Sequence, residues 1–387
     1  MNKSKRKARS GPDDPSAADE KLVHTWWEEF KPFYRTRDTE EMLRRIYCFL
    51  QEHPRQFIHL RLDEECLFEL GGSLQRKGEH ARYVELLLRI RKEQPEAYLL
   101  SQGYFDLEII AELLATGRRS EVPTYFDLFK KHPTDFVDEL ASLVDILLAT
   151  NSPLELFDLT RVVAGPVHDS PDVIQGDFAL DWVVFEQFVP ALDRREVSKK
   201  AVQQVMDRLE PLDVPFELNT ASIATDLEET LGGFPDLRSV IRKGKAAHSR
   251  WCQKLLHHFT GFVHDAIGVS WASSRYFASH IANYLFTTAA DGGVQHALTI
   301  KEASLDRYIA AHCRKSMVLD GVAALSLLQG VWWLSGYLEH HGFHDGKARA
   351  RIEEDCLRLF RPVKRALHPT DDGLRLLGDF PKYRWTS

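Results

Sequence analysis

Two groups of histidines are the residues of this sequence best suited to hold a metal ion. They are His257, His258, His264 and Asp265 in the first group, and His340, His341, His344 and Asp345 in the second. In the first group, His257 and His264 would be about 10.5 Å apart along a helix. Zinc–nitrogen bonds are about 2.0–2.1 Å long, so one ion cannot readily bind both. In the second group His340 and His344 share a helix face, which together with Asp345 predicts a metal site. Gly342 between them is expected to end the helix, which counts against that site.

Common catalytic motifs are missing from the sequence. It contains no G-x-S-x-G, no H-E-x-x-H, no P-loop and no dinucleotide-binding fingerprint. We therefore predict no catalytic residue and no cofactor. A metal-dependent enzyme of unfamiliar type, working at the second histidine group, is the third hypothesis for function.

A run of cations around Trp251 suggests a different chemistry, the binding of phosphates. Its members are Arg238, Arg242, Lys245, Arg250 and Lys254, and a second basic stretch covers residues 349–365. Clustered cations bind phosphates regardless of base sequence. Residues 236–387 carry 21 Lys and Arg against 14 Asp and Glu, although the whole chain has a net charge of −7. A nucleic-acid-associated factor that uses this basic part is therefore the second hypothesis.

Helices must position these residues, and the first 166 residues show a helical repeat. Four segments end in proline at intervals of 41, 38 and 33 residues, at Pro54, Pro95, Pro133 and Pro166. A period in this range is typical of stacked helical hairpins. Each proline is predicted to end a helix, because proline lacks the amide donor and restricts the residue before it.

The other helix of each hairpin is predicted to end at a residue that tolerates a left-handed conformation, namely Gly78, Gly117 or Asn151. Large aliphatic residues stand four and eight positions before these turns: Leu70, Leu74, Ile109, Leu113, Leu143 and Leu147. That spacing places the two residues of each helix on one stripe. Since a hairpin cannot bury such a stripe alone, neighbouring hairpins are expected to stack in a row.

Residues 38–166 resemble the tetratricopeptide-like or HEAT-like helical repeats. The resemblance rests on the hairpin length, the turn glycines, the closing prolines and Gly71, which lies seven residues before Gly78. Large side chains such as Leu88 and Phe126 occupy the middle of the second helices, where the tetratricopeptide family places small residues. The resemblance implies an antiparallel helix-hairpin array, α-solenoid-like, whose surface binds a protein partner.

Residues 17–34 are predicted to form a helix that caps this array. Trp26, Trp27 and Phe30 give the helix an aromatic stripe. Two interpretations follow: the stripe packs on the first hairpin, or it anchors a protein partner, since tryptophan is enriched at interface hot spots.

The distribution of prolines divides the chain. Six prolines interrupt residues 166–235, whereas none occurs between Pro235 and Pro362, which favours long helices there. Thr299 and Glu302 have the spacing of a capping box that opens one of them. We predict an all-α fold with a disordered basic tail at 1–14, the repeat array at 15–166, an irregular helical connector or continuation of the array at 167–235, a basic helical bundle at 236–366 and a C-terminal tail at 367–387.

One segment of the predicted bundle reaches the lower length limit of a membrane span. Residues 321–338 are 18 residues without a formal charge. Three glycines, two serines and a glutamine among them favour the buried centre of a bundle instead. Membrane insertion is therefore not predicted.

The composition is typical of a soluble globular protein, with 44% hydrophobic and 28% charged residues. Five cysteines without a C-x-x-C pair indicate reduced thiols and a cytoplasmic location. The main hypothesis is a non-enzymatic helical-repeat scaffold or adaptor that binds a protein partner. The sequence does not predict the oligomeric state.

Overall fold

The structure is a computed structural model that describes residues 17–168, 170, 198–209, 228, 245–292, 298–315, 318–367 and 376–381. The predicted tail at 1–14 and most of the predicted connector at 167–235 lie outside these ranges. The described chain is all-α, as predicted, apart from an antiparallel pair of two-residue strands, β1 (Arg314–Lys315) and β2 (Val318–Leu319). The chain forms two compact units, Met1–Phe105 and Asp106–Ser387.

The first unit is a succession of short helices. They are α1 (Ala17–Thr36), α2 (Thr39–Glu52), α3 (Pro54–His59), a π-helix (Asp63–Leu67), α4 (Phe68–Arg76), α5 (His80–Glu93), α6 (Pro95–Leu99) and the start of α7 (Gln102–Ala115), inside which the unit boundary falls. Helix α2 packs on α1, α3 and α4, and α5 packs on α4 and α6. The core between them is aliphatic and aromatic, with Met42, Ile46, Phe57 and Leu87 fully buried.

A buried carboxylate fixes the centre of the first unit. The guanidinium of Arg61 donates to both oxygens of Asp63, at 3.1 and 3.2 Å, and the hydroxyl of Ser101 donates to Asp63 at 2.6 Å. Asp63 is fully buried, and a buried carboxyl group needs donors of this kind in place of water. The network joins the start of the π-helix to the residue before α7.

The second unit contains longer helices towards its C-terminal end. They are the remainder of α7, a 3₁₀-helix (Arg119–Tyr125), α8 (Asp127–Lys131), α9 (Val137–Ala149), α10 (Pro153–His168), α11 (Lys199–Leu209), α12 (Lys245–Phe262) with a π-helix (Val263–Ile267), α13 (Trp271–Gly292), α14 (Glu302–His312), α15 (Gly321–His340) and α16 (Gly346–Ala366). Helix α15 packs on α9, α12, α13 and α16. It is therefore the central helix of this unit.

Helix α15 has the length and composition to cross a membrane, but 89% of its most apolar window is buried inside the protein. Its contact with α13 is close: a Cβ at Gly330 would lie 2.9 Å from Cγ1 of Ile281. A helix that is apolar on all sides is typical of the core of a large helical unit. Its burial agrees with the predicted place of residues 321–338 at the centre of a bundle.

The predicted turns of the hairpins are confirmed. Gly78, Gly117 and Asn151 have φ angles of 74°, 76° and 55°, which is the left-handed region. The six aliphatic residues placed before these turns are buried, with at most 3% of their surface exposed: Leu70, Leu74, Ile109, Leu113, Leu143 and Leu147. The stripe that they form is therefore shielded from water, as the spacing predicts.

The predicted role of the prolines is correct at three of four positions. Helices α2, α5 and α8 end before Pro54, Pro95 and Pro133, and the first two prolines open the next short helix, where a missing amide donor is harmless. The prediction is wrong at Pro166, which lies inside α10. The helix expected before Pro133 is also divided, into the 3₁₀-helix and α8.

The predicted capping box does not open its helix. Helix α14 begins at Glu302 with Lys301 at the N-cap and no side-chain cap, because the residues from Thr299 to Lys301 are not helical. By contrast, Asp320 and Asp345 cap α15 and α16 by accepting from the backbone amides of Ala323 and Ala348. A carboxylate at this position stabilises the helix start.

Candidate functional site

The two histidine groups of the sequence meet where α12 packs on α15. Nδ1 of His258 lies 2.8 Å from the hydroxyl oxygen of Tyr337, and the rings of His258 and His341 are 5.2 Å apart. The ring of His340 is 4.9 Å from that of His341 and 6.0 Å from that of Phe262. His258 of the first group is thus brought to the second group, which the spacing within each group does not predict.

Burial favours the neutral forms of His258 and His341. Burial lowers the pKa of His258, and burial together with the charges of His258 and His340 lowers the pKa of His341 to about 4. Burial also raises the pKa of Tyr337, which is fully buried, so its hydroxyl keeps its proton. Neutral imidazoles beside a protonated phenol can exchange a proton, but the burial of Tyr337 keeps that proton away from solvent.

The other histidines of the first group act as structural links. Nδ1 of His257 lies 3.1 Å from a guanidinium nitrogen of Arg275, and burial with the charge of Arg275 lowers the pKa of His257 to about 3. His264 donates from Nδ1 to the carbonyl of Val269 at 2.7 Å and stacks on Trp271 with ring centroids 4.3 Å apart. Both contacts connect α12 and its π-helix to α13.

The predicted metal ligands His340, His344 and Asp345 are not arranged around one ion. Helix α15 ends at His340, Gly342 has a φ of 70°, and Asp345 uses Oδ1 to cap α16 at 2.8 Å from the amide of Ala348. Among the residues that the structure describes, no three His, Cys, Asp or Glu residues form a group that could hold a metal ion. The break in the helix explains this, because it removes the face that the four-residue spacing requires.

A second polar cluster lies inside the helical core and was missed from the sequence. The rings of Tyr276 and His280 are 4.7 Å apart, and Nε2 of His280 is buried without a hydrogen bond. Burial lowers the pKa of His280 to about 4, whereas burial and the charges of Asp145 and Asp320 raise that of Tyr276. The sequence spacing places Tyr276 on an apolar stripe of α13. The acids that act on it, on α9 and just before α15, are distant in the sequence, so the spacing could not predict them.

The aromatic residues predicted on α1 are divided between core and surface. Phe30 is fully buried, and Trp26 stacks on it at 4.9 Å and contacts Phe49 at 4.7 Å. Trp27 is partly exposed and lies 6.3 Å from the ring of Tyr34, which is 37% exposed. The stripe therefore packs on the core through Phe30, and the ring of Trp27 also lies 5.5 Å from that of Phe30. The role of the stripe as a partner anchor stays a prediction.

The predicted phosphate-binding run is only partly described. Arg238 and Arg242 lie outside the described residues. Lys245 and Arg250 belong to α12, but the structure describes only their backbone. Lys254 is exposed on the same helix, after the buried Trp251. This run stays a prediction.

The chain matches no protein-family model, no curated protein and no solved structure. The partly exposed aromatic edge of α1, the buried histidine clusters of the second unit and the basic residues of α16 are therefore the features from which function must be inferred. The buried clusters hold helices together, whereas Trp27 and Tyr34 of α1 and the last cations of α16 are partly or fully exposed.

Proposed function

We propose that the protein is a non-enzymatic helical-repeat scaffold that binds a protein partner through α1. The observation that carries the proposal is the partly exposed edge formed by Trp27 and Tyr34, here called the aromatic edge, on a helix anchored by the buried Phe30. Residues 15–166 are proposed to be an antiparallel array of tetratricopeptide-like hairpins, in a cytoplasmic protein. The array would hold the aromatic edge rigidly.

Packing within each unit supports the array. In the first unit α2 contacts both α1 and α4, and α4 contacts α5, so helices that follow one another along the chain pack together. In the second unit α9 packs on α10, and Arg119 donates to the carbonyls of Thr150 and Asn151 at 2.7 Å each, which closes the end of α9. Successive contacts of this kind are typical of repeat arrays.

The aromatic edge has the composition of an interface centre. Trp27 and Tyr34 are seven residues apart on α1, so they lie on the same face, with ring centroids 6.3 Å apart. An ion pair of Glu28 and Lys31 lies at the rim. Aromatic side chains surrounded by polar ones are typical of binding hot spots, and the expected partner is a protein segment with an apolar face of similar size.

The aromatic edge can be tested by affinity capture with the full-length protein. Trp27→Ala combined with Tyr34→Ala removes the edge but keeps the buried Phe30 and Trp26, which stacks on it. We expect this double variant to lose the specific partner, with its recovery reduced at least about tenfold, because truncating one hot-spot aromatic weakens binding by about 2 kcal/mol or more. Quantitative mass spectrometry of the captured proteins measures the recovery.

A matched control is available in the second unit. Leu154 on α10 is 80% exposed, so Leu154→Ala also removes exposed apolar surface and should leave the capture unchanged. Equal recovery with the double variant and the wild-type protein, when both melt at the same temperature, would reject the aromatic edge as the binding site.

A further inference from the structure

We propose that the end of α16 and the aromatic rings beside it bind single-stranded nucleic acid. This basic–aromatic surface lies in the second unit and is independent of the aromatic edge of α1. It consists of the cations Arg361, Lys364 and Arg365 and the rings of Trp332, Phe360 and Phe380.

The basic residues of α16 differ in their partners along the helix. In its first half, Arg349 pairs with Glu339 at 2.8 Å and with Glu353 at 2.7 Å. One turn before the surface, Arg358 pairs with Glu302 at 3.0 Å and with Glu354 at 3.1 Å.

In the last turns of α16 the cations Arg361, Lys364 and Arg365 are exposed, and no described Asp or Glu forms an ion pair with them. Arg349 and Arg358 are thus neutralised, whereas Arg361, Lys364 and Arg365 form a group of three open charges at the end of the helix. Near its start, Lys347 and Arg351 are also exposed without an ion pair to a described Asp or Glu, but they lie far along the helix from the rings described below.

Aromatic rings lie directly beside these open charges. Nζ of Lys364 is 5.8 Å from the ring centroid of Phe360, which stacks on Phe380 at 5.3 Å with an angle of 19° between the planes. The rings of Trp332 and Phe380 are nearly perpendicular, with centroids 5.5 Å apart. All three rings are partly exposed, and the buried Leu376 and Leu377 hold the segment that carries Phe380 against the unit.

The combination of charges and rings decides the kind of partner. Cations alone are explained by the C-terminal end of the helix dipole, and they would suit any anionic surface. Partly exposed rings, one of which lies within cation–π distance of Lys364, offer in addition a platform for unpaired bases, whose stacking on aromatic side chains is a main source of affinity for single strands. A duplex hides its base faces, and an acidic peptide or a lipid headgroup has no such faces, so the single strand fits best.

Fluorescence anisotropy with a fluorescein-labelled 20-nucleotide oligo(dT) tests the surface on the full chain. We expect binding at 20 mM NaCl and a slope of log affinity against log salt of about −2, since each phosphate neutralised on a single strand contributes about −0.7. The variant R361Q/K364Q/R365Q should lose at least about tenfold in affinity and most of the slope. R361K/R365K, which keeps the charge, should retain affinity within about threefold.

The aromatic contribution is tested with F380L, which keeps an apolar side chain. Loss of one stacked base predicts roughly 5- to 150-fold weaker binding, with the salt slope unchanged. F380L with wild-type affinity, in a variant that melts at the wild-type temperature, would overturn the role of the rings.

Charge-matched controls separate this surface from general electrostatics. R35Q/R55Q/K92Q removes three exposed cations of the first unit and should leave affinity unchanged. The proposal is overturned if wild-type protein fails to bind oligo(dT) at 20 mM NaCl, or if this control weakens binding as much as R361Q/K364Q/R365Q does. It is also overturned if phosphatidylserine vesicles or polyglutamate bind the surface more tightly than the oligonucleotide.

Discussion

At the scale of single residues, the main finding is that four buried or partly buried histidines of the second unit carry a charge only at a cost to folding. His257, His258, His280 and His341 all have a lowered pKa whose largest cause is burial. A buried imidazole without a counter-ion is more stable neutral than charged. These residues therefore serve the packing of α12, α13 and α15 at neutral pH.

The free energy of unfolding should fall as the pH falls from about 6.5 towards 4. The unfolded chain takes up protons on these histidines near pH 6.5, whereas folded His257 resists protonation until about pH 3, so acid favours the unfolded state. Replacing His257 by Gln should flatten this dependence by up to about 1.4 kcal/mol per pH unit. Urea unfolding at several pH values measures it, and a variant with the wild-type slope would contradict the account.

The exposed His24 on α1 gives the control for that experiment. His24→Gln removes a histidine outside the core, so its unfolding free energy should keep the wild-type dependence on pH. A loss of slope in both variants would mean that the number of histidines matters and their burial does not.

At the scale of secondary-structure elements, the main finding is that glycines let pairs of helices pack closely. A Cβ at Gly71 would lie 2.7 Å from Cε1 of Tyr83, so α4 and α5 approach more closely than an alanine allows. The glycine that resembles the tetratricopeptide pattern thus has a physical function here. It makes room for the ring of Tyr83, which is only 1% exposed.

Gly71→Ala should therefore destabilise the protein. Overpacking of a core contact costs about 1–3 kcal/mol, more than the gain of about 1 kcal/mol from the better helix propensity of alanine. In a Tyr83→Leu background the clash is absent, so the same substitution should be neutral or stabilising. Chemical denaturation of the four proteins gives this double-mutant cycle, and an equal cost in both backgrounds would contradict the close approach.

The helices and turns also show which features can be predicted from the sequence and which cannot. The turns at Gly78, Gly117 and Asn151 were predictable because a left-handed residue and a buried stripe are both local features. Pro166 was misjudged because a proline inside a helix can be tolerated when surrounding packing holds the helix. In α10 the neighbouring Val163 and Val167 are buried. Their tertiary contacts maintain the helix even though Pro166 removes one of its backbone hydrogen bonds.

At the scale of the whole molecule, tertiary packing brings together polar groups that are far apart in the sequence. His258 and Tyr337 form their contact only because α12 packs on α15, and the sequence gives no register for two distant helices. The same holds for α16, where Arg349 and Arg358 are neutralised by acids of α14 and α15 as well as by their own helix. Composition predicted a basic surface, but tertiary structure decides which cations remain open.

Photo-crosslinking from α1 tests the central proposal at the scale of the molecule. A p-benzoylphenylalanine introduced at Tyr34 of the full-length protein, and at Leu154 as the control, would be irradiated in cells and the products identified by mass spectrometry. The scaffold proposal predicts one discrete crosslinked protein from Tyr34, lost when Trp27 is also replaced by Ala, and no such product from Leu154. Failure to crosslink any protein from Tyr34, or identical products from both positions, would contradict it.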